Sequence, residues 1–464
     1  MSLGVLCLLL LAEGRAAAVR YPGFLSRSPS EEQPRVYLGD DAGEKLILSR
    51  YIEAGQVEVA RNLSRVTGEP FPQDIPSYSG FFTVNTTYDS NLFFWFFPAE
   101  KDYENAPVIL WLQGGPGASS LYGLFMEVGP FFVAEDGASL IRNPYSWHKN
   151  HSIIFIDSPA GTGFSYTSNA GYVTNQNEVG EQLHSAMVQF FTMFPELQKN
   201  HFFICGESYA GKYIPALGHT IHTKNPKAKL KINLKGMAIG DGLVDPVNML
   251  GYSDLVYQWG LIDNSTWKLM QKYEGVAARH IAAGKYKLAV QTVNDYLLGT
   301  IGSKASVGAY NLLTDSDAID NHYAKLFESG SVRSAMHVGK QKYYPSSGTV
   351  YDRLVEDIMK SVRPWVEELL DAGYRVVFYN GQLDIIVAYS LTVNMVENLK
   401  FNAAEEYKTV RRNVWRVNGR VAGYTKTAGN MTEVMVRDAG HMVPADQPAV
   451  GFHLIYSITR NTLR

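Results

Sequence analysis

Cysteine is nearly absent from this chain: there are two in 464 residues, Cys7 and Cys205. Cys7 falls in an apolar N-terminal stretch that reads as a cleaved leader. The mature chain would then keep one thiol and could form no internal disulfide. A disulfide scaffold is excluded, and the fold must rest on its apolar core. An excess of one charge is also missing, since 42 Lys and Arg against 45 Asp and Glu leave a net charge of −3. That balance provides no electrostatic footprint for nucleic acid or for an anionic membrane surface. Beyond the N-terminus no apolar run is long enough to span a bilayer. Internal repeats and low-complexity tracts are lacking, which excludes solenoid and fibrous classes.

Hydrophobic residues make up 46% of the chain and aromatics 12%. This suffices for one large domain or two smaller ones. Leu3 to Ala12 is an apolar core followed by Ala16-Ala17-Ala18, so residues 1–18 read as a secretory signal peptide, although no basic residue precedes the core. Asn-x-Ser/Thr sequons at Asn62, Asn85, Asn150, Asn264 and Asn430 point the same way, as glycosylation acceptors. The scarcity of cysteine pulls against secretion, but a large core can dispense with disulfides. The expected location is extracellular, or lysosomal or endosomal through the secretory pathway.

Residues 19–48 are rich in Pro, Ser, Glu and Asp and read as a loose, pro-like arm. The β-rich runs Phe81 to Val84 and Leu92 to Phe97 flank a polar turn and predict a hairpin. Apolar runs at Val108 to Leu112, Ile153 to Ile156, Phe202 to Cys205 and Met237 to Ile239 then suit strands buried on both faces. Between the second and third, Val179, Leu183, Ala186, Met187, Phe190 and Phe194 recur at helical spacing over 178–194. Strand, helix, strand in this rhythm predicts βαβ units and an α/β fold with a mixed, mostly parallel sheet. After Asp241-Gly242 the rhythm stops. Residues 247–345 hold no clean buried strand, and helical stretches at 265–271 and 277–293 mark a helical cap insertion. The core is therefore read as two parts, 49–246 and 346–464. Strands return at Arg375 to Tyr379 and Thr432 to Val436, with a hairpin at Val414 to Tyr424 turning on Asn418-Gly419.

The strand Phe202 to Cys205 runs into Gly206-Glu207-Ser208-Tyr209-Ala210-Gly211. Small residues around Ser208 suit a sharp strand-to-helix turn that exposes a hydroxyl. A serine needs a base, and two later strands run into loops carrying Asp384 and His441. In open α/β sheets, reactive groups gather beyond the carboxyl ends of the strands. The chain order Ser208, Asp384, His441 is that of α/β-hydrolases. His441 would move the proton, and Asp384 would hold its tautomer. Asp438 and Asp446 are rival acids, disfavoured because a triad acid usually faces the imidazole from another loop. Gln113-Gly114-Gly115-Pro116-Gly117 follows Val108 to Leu112 directly. Its Gly115 N–H and that of Tyr209 are the expected oxyanion donors. The glycine spacing fits neither a dinucleotide fingerprint nor a phosphate loop, and no cofactor or metal is expected. His219 and His222 stand at helical spacing but show no carboxylate or Cys partner in the sequence.

Trp111 to Gly117, Gly206 to Gly211 and Ala439-Gly440-His441-Met442-Val443-Pro444 closely resemble the signatures of serine carboxypeptidases. Gly161 to Tyr166 matches as well, and Tyr51 to Gly55 resembles the vitellogenic carboxypeptidase-like branch. The resemblance runs from about residue 50 to the C-terminus. It implies an α/β-hydrolase fold and removal of single residues from the free C-termini of peptides or proteins, favoured at acidic pH. It also implies that Gln113, Glu127 and Glu207 bind the terminal carboxylate, with Gln113 standing where most members have Asn. Two close carboxyls hold protons between them, which is how glutamates receive an anion. Ala118 stands where many members have Cys, and Cys205 reads as a buried filler. A monomer or a homodimer would serve. An acyltransferase, or a non-catalytic binding protein on the same scaffold, are the alternative readings.

Overall fold

A computed structural model describes residues 34–315 and 319–463. Residues 1–18, expected to be a signal peptide and holding Cys7, and residues 19–33 of the expected arm lie outside the described residues. Twelve strands follow in chain order. They are β1 (Tyr78–Asn85), β2 (Ser90–Phe97), β3 (Val108–Leu112), β4 (Phe131–Val133), β5 (Leu140–Arg142) and β6 (Ser152–Ile156). The others are β7 (Phe202–Glu207), β8 (Leu234–Gly240), β9 (Arg375–Gly381), β10 (Asn413–Val417), β11 (Arg420–Ala428) and β12 (Met431–Val436). Ten of them form one sheet in the order β1-β2-β6-β3-β7-β8-β9-β12-β11-β10, while β4 and β5 pair separately. The centre, from β6 through β3, β7, β8 and β9 to β12, is parallel; the hairpins at both edges are antiparallel.

The period of two along each strand splits the core into two layers. Phe94, Phe96, Leu110, Leu112, Ile154, Phe202 and Ile204 face the helices Gln176–Met193 and Ala210–Lys224. Phe93, Trp95, Ile109, Trp111, Ile153, Phe203 and Cys205 face the opposite layer. Each such side chain contributes about 1.5–3 kcal/mol on burial, and the one cysteine among the described residues, Cys205, is free. Cys205 is buried within β7, and burial pushes its thiol pKa up, away from reactivity.

The first long helix and the arm differ from the sequence expectations. The helix expected from 178 starts at Gln176, because Asn175 accepts the Glu178 N–H at 3.1 Å and caps it. The arm is fastened, not loose, from residue 34 onward. Arg35 N–H donates to the Tyr343 carbonyl at 2.9 Å, and Phe81 N–H to Leu46 at 2.9 Å. Ala42 and Leu48 are fully buried. Polar composition hid these few anchors.

Between β8 and β9 the described chain adds no strand to the sheet. It runs through helices Tyr252–Gln258, Asn264–Ala282, Tyr286–Gln291 and Gly299–Ala305. It then returns to the sheet's carboxyl edge. There the Ala309 carbonyl accepts the Ile385 and Ile386 N–H groups at 2.9 and 3.1 Å, and the Tyr310 carbonyl accepts the His441 N–H at 2.7 Å. This returning segment ties the Asp384 and His441 loops together. No helix among the described residues is long and apolar enough to cross a membrane.

Candidate active site

β7 ends at Glu207, and Ser208 turns the chain with φ 65°. A non-glycine residue there costs about 1–3 kcal/mol and persists only when its surroundings hold it. They do. Ser208 N–H donates to Gly240 at 2.9 Å, and the Ser208 carbonyl accepts from Gly211 at 3.0 Å and Leu243 at 3.1 Å. The helix Ala210–Lys224 begins at once, so the positive end of its dipole faces the turn.

The loop after β3 lies directly against this turn. A Cβ on Gly114 would sit 2.5 Å from Tyr209 N and 2.6 Å from Ser208 Cβ, so only glycine allows the approach. Gly115 follows with φ 108°. Buried Asp157 braces the loop, accepting from Ser119 Oγ at 2.6 Å and Ser120 N–H at 3.0 Å. Gly115 and Tyr209, the expected oxyanion donors, thus belong to two touching segments.

Asp384 and His441 come together from the loops after β9 and β12. His441 Nδ1 lies 2.9 Å from Asp384 Oδ2, with both side chains buried. Asp384 Oδ1 accepts the Ile386 N–H at 2.9 Å, which fixes the carboxylate. The Tyr310 ring stands 5.1 Å from the imidazole, centroid to centroid. His441 Nε2 is buried with no hydrogen-bond partner, so the Ser208–His441 bond expected from the sequence is not formed. Such bonds are often open until substrate aligns them. The rivals fall away. The Asp438 side chain is 70% exposed, and Asp446 accepts from Gly440 N–H at 2.6 Å and the Asn311 side-chain Nδ2 at 3.0 Å, which occupies it elsewhere.

Glu207, Glu127 and Gln113 form a buried acid cluster beside Ser208. Gln113 Nε2 donates to Glu207 Oε1 at 2.7 Å and reaches Glu127 Oε1 at 3.5 Å, while Trp111 Nε1 holds Gln113 Oε1 at 2.9 Å. Glu127 sits on a π-helical turn, Gly123–Val128, a type of irregularity frequent at functional sites. Burial pushes the Glu127 carboxyl up to about 8, and Glu207 is raised well above its usual range by burial and then by the charge of Glu127. Written as carboxylates, Glu127 Oε2 and Glu207 Oε2 have no partner. A proton held between the two groups satisfies both.

Sequence reasoning passed over three groups. Asp241, directly after β8, offers a carboxylate oxygen within 4.8 Å of ligand atoms of Asp384 and His441. The strand-end position was the available signal. Tyr310 comes from the insertion and gave none. The third is a buried ion pair, Lys212 Nζ to Asp357 Oδ2 at 3.0 Å. Asp357 also accepts from Gln176 Nε2 at 2.7 Å and Tyr209 OH at 3.2 Å, anchoring the residue after the nucleophile. A lysine in the apolar helix Ala210–Lys224 was its signal. Burial lowers the Lys212 pKa to about 8. Lys212→Met would leave Asp357 charged, buried and without its cation, and is expected to cost about 3–5 kcal/mol in chemical denaturation. The double variant with Asp357→Leu should recover most of this. A single-variant loss under about 1 kcal/mol would contradict the pairing.

The remaining candidates lie on the surface. Asn62, Asn264 and Asn430 are exposed, and Asn85 and Asn150 are half-buried. His219 and His222 do meet a carboxylate that spacing could not show, Glu368 from a separate helix, at 3.3 and 3.7 Å.

Known proteins resemble this chain over most of its length. The family described as serine carboxypeptidase matches residues 68–461. A venom serine carboxypeptidase of Apis mellifera is 46% identical over 450 residues, covering 95% of this chain and 96% of the relative. A vitellogenic carboxypeptidase of Aedes aegypti is 43% identical, covering 90% of each. The crystal structure of a prohormone-processing carboxypeptidase from Saccharomyces cerevisiae superposes with a TM-score of 0.76 at 25% identity, over 87% of this chain and 97% of that one. The chain belongs to the serine carboxypeptidase family, hydrolases that act as exopeptidases on the α/β-hydrolase fold.

Proposed function

We propose that Ser208, His441 and Asp384 carry out the family's reaction, with the peptide's terminal carboxylate held by Gln113, Glu127 and Glu207. Ser208 Oγ attacks the last peptide carbonyl and its proton passes to His441 Nε2. The Gly115 and Tyr209 N–H groups stabilise the oxyanion. Collapse breaks the C–N bond, and His441 returns the proton to the amine of the departing residue. Water, activated by His441, then hydrolyses the acyl-enzyme. Asp384 orients the imidazole and stabilises its cation throughout.

The observation that carries this reading is the position of Glu207. It precedes Ser208 directly and points its carboxyl into the cluster with Gln113 and Glu127. Nucleophile and anion receptor are therefore one residue apart, which sets the cut at the last bond. Because the receptor needs its proton, binding is favoured at acidic and neutral pH and weakens as pH rises through about 8. The insertion 247–345 acts as a cap on the two-part core, 49–246 and 346–464, which residues 19–48 precede in the chain as an arm. Entry into the secretory pathway, ending outside the cell or in a lysosomal or endosomal compartment, is supported by the sequons and by relatives named for venom and vitellogenesis. The test is a blocked peptide offered as free acid and as amide, with products read by mass spectrometry. Single-residue loss from the acid is expected. Transfer of the acyl group to an added alcohol in preference to water would assign an acyltransferase instead.

A further inference from the structure

Asp241 has no role in the scheme above, yet it is buried directly beside it. It is fully buried at the end of β8, with φ 42°. The conformation is held from two sides. Asp241 N–H donates to the Tyr379 carbonyl at 2.8 Å, and Asp241 Oδ1 accepts the Gly381 N–H at 2.9 Å. Its Oδ2 is buried without an N–H or O–H partner. Asp384 and His441 face it, with ligand atoms of all three within 4.8 Å. Glu207 and Tyr379 also act on it electrostatically.

Two carboxyl groups this close and this dry cannot both be charged. The hydrogen bonds decide which one keeps the proton. Asp384 accepts from Ile386 N–H at 2.9 Å, from Val387 N–H at 3.3 Å and from His441 Nδ1 at 2.9 Å, a set that favours a carboxylate. Asp241 accepts one N–H and leaves the other oxygen bare, a set that favours a carboxylic acid. Burial and the charge of Asp384 both raise the Asp241 pKa well above its usual value, in agreement.

The geometry points to Asp241 as a positioning residue of this enzyme: a protonated acid that donates its hydrogen bond to Asp384 and fixes the carboxylate that aims His441. The catalytic line then reads Ser208, His441, Asp384, Asp241, with one negative charge and one shared proton at its far end. Asp241 touches no reacting atom. Its effect reaches the substrate through the Asp384 orientation, where misplacement of about 1 Å costs on the order of 100-fold in rate.

The inference rests on the Ser208–His441–Asp384 reading, and the experiment separates the two. Wild type, Asp241→Asn and Asp241→Ala are titrated with a fluorophosphonate, and kcat and KM are expressed per labelled Ser208. If wild type does not label, the triad reading fails. With labelling in place, Asp241→Ala should lose about 10–100-fold in kcat with KM within about twofold. Asp241→Asn keeps a donor at the same place and should stay within about threefold of wild type. The downfield proton resonance of His441 Nδ1–H should move in the Ala variant and stay in the Asn variant. If Asp241→Ala does not fold, Asp241→Asn still decides: a loss beyond about tenfold overturns the inference, because the shape is kept and the donor remains. Equal losses in both variants, an unchanged kcat in Asp241→Ala, or activity removed by a chelator and restored by a divalent cation also overturn it. The last result would make the trio metal ligands.

Discussion

Ser208→Ala is expected to lower kcat for C-terminal trimming by about 10⁴–10⁶-fold while leaving KM nearly unchanged. The substitution isolates the hydroxyl. Alanine meets the same φ of 65° as serine, and the three backbone hydrogen bonds at this turn use main-chain atoms only. The proposed carboxylate receptor of Gln113, Glu127 and Glu207 stays in place, so substrate should still dock. What disappears is the hydroxyl proposed to form the acyl-enzyme, and labelling by a fluorophosphonate should vanish with it. The open geometry at His441 Nε2 makes this informative, because the nitrogen has no competing partner to hold it away from Ser208. Turnover within about tenfold of wild type would show that another nucleophile does the work. Cys205 is no candidate, being fully buried with its thiol pKa raised.

The second large effect lies in KM. A peptide carboxylate has a pKa near 3.3–3.7 and is ionised throughout the working range, so the titrating partner is the receptor. Glu127 and Glu207 have raised values, about 8 for Glu127 and higher-than-usual for Glu207. Raised acids keep their protons from the ordinary carboxyl range up to the shifted value. Donation to the substrate is therefore present at acidic and neutral pH and is lost as pH rises through about 8. One charge-assisted hydrogen bond contributes about 1.5–3 kcal/mol, so KM should rise about 10–100-fold between pH 5.5 and 9, with kcat changing less. Glu207→Gln carries an amide donor at every pH and should flatten that rise. An unchanged profile in the variant would refute the shared proton.

The fold was legible where chemistry is local. β3, β6, β7, β8, β9 and β12 are apolar runs buried on both faces, and their positions follow from composition alone. The turn at Asn418-Gly419 follows from positive φ at both residues, observed at 50° and 77°. The insertion was less legible. Stretches expected at 265–271 and 277–293 proved to be one helix, Asn264–Ala282, ended by Gly284 at φ 69°, and a second, Tyr286–Gln291. The helical pattern continues past the break, and Gly284 with its positive φ marks it.

The site divides in the same way. Ser208, Asp384 and His441 each follow a strand, so strand order in the chain announces them. Long-range pairing is another matter. Nothing near Asp241 in the sequence names Asp384 as its neighbour; β8 and β9 must first lie side by side in the sheet. Tyr310 reaches His441 only because the insertion folds back. Lys212 and Asp357 are 145 residues apart and meet in the interior. Each of these needs the sheet to exist before its chemistry can be seen.

Two peptides that differ only at the terminus, free acid against amide, test the central claim most directly. The claim is that the residue before the nucleophile helps to read the substrate's carboxylate. At pH 5.5 the acid should be trimmed with a kcat/KM at least about 100-fold above that of the amide, because the amide leaves the Gln113–Glu127–Glu207 donors without an anion. Equal rates for the two peptides, or cleavage at internal bonds, would contradict it.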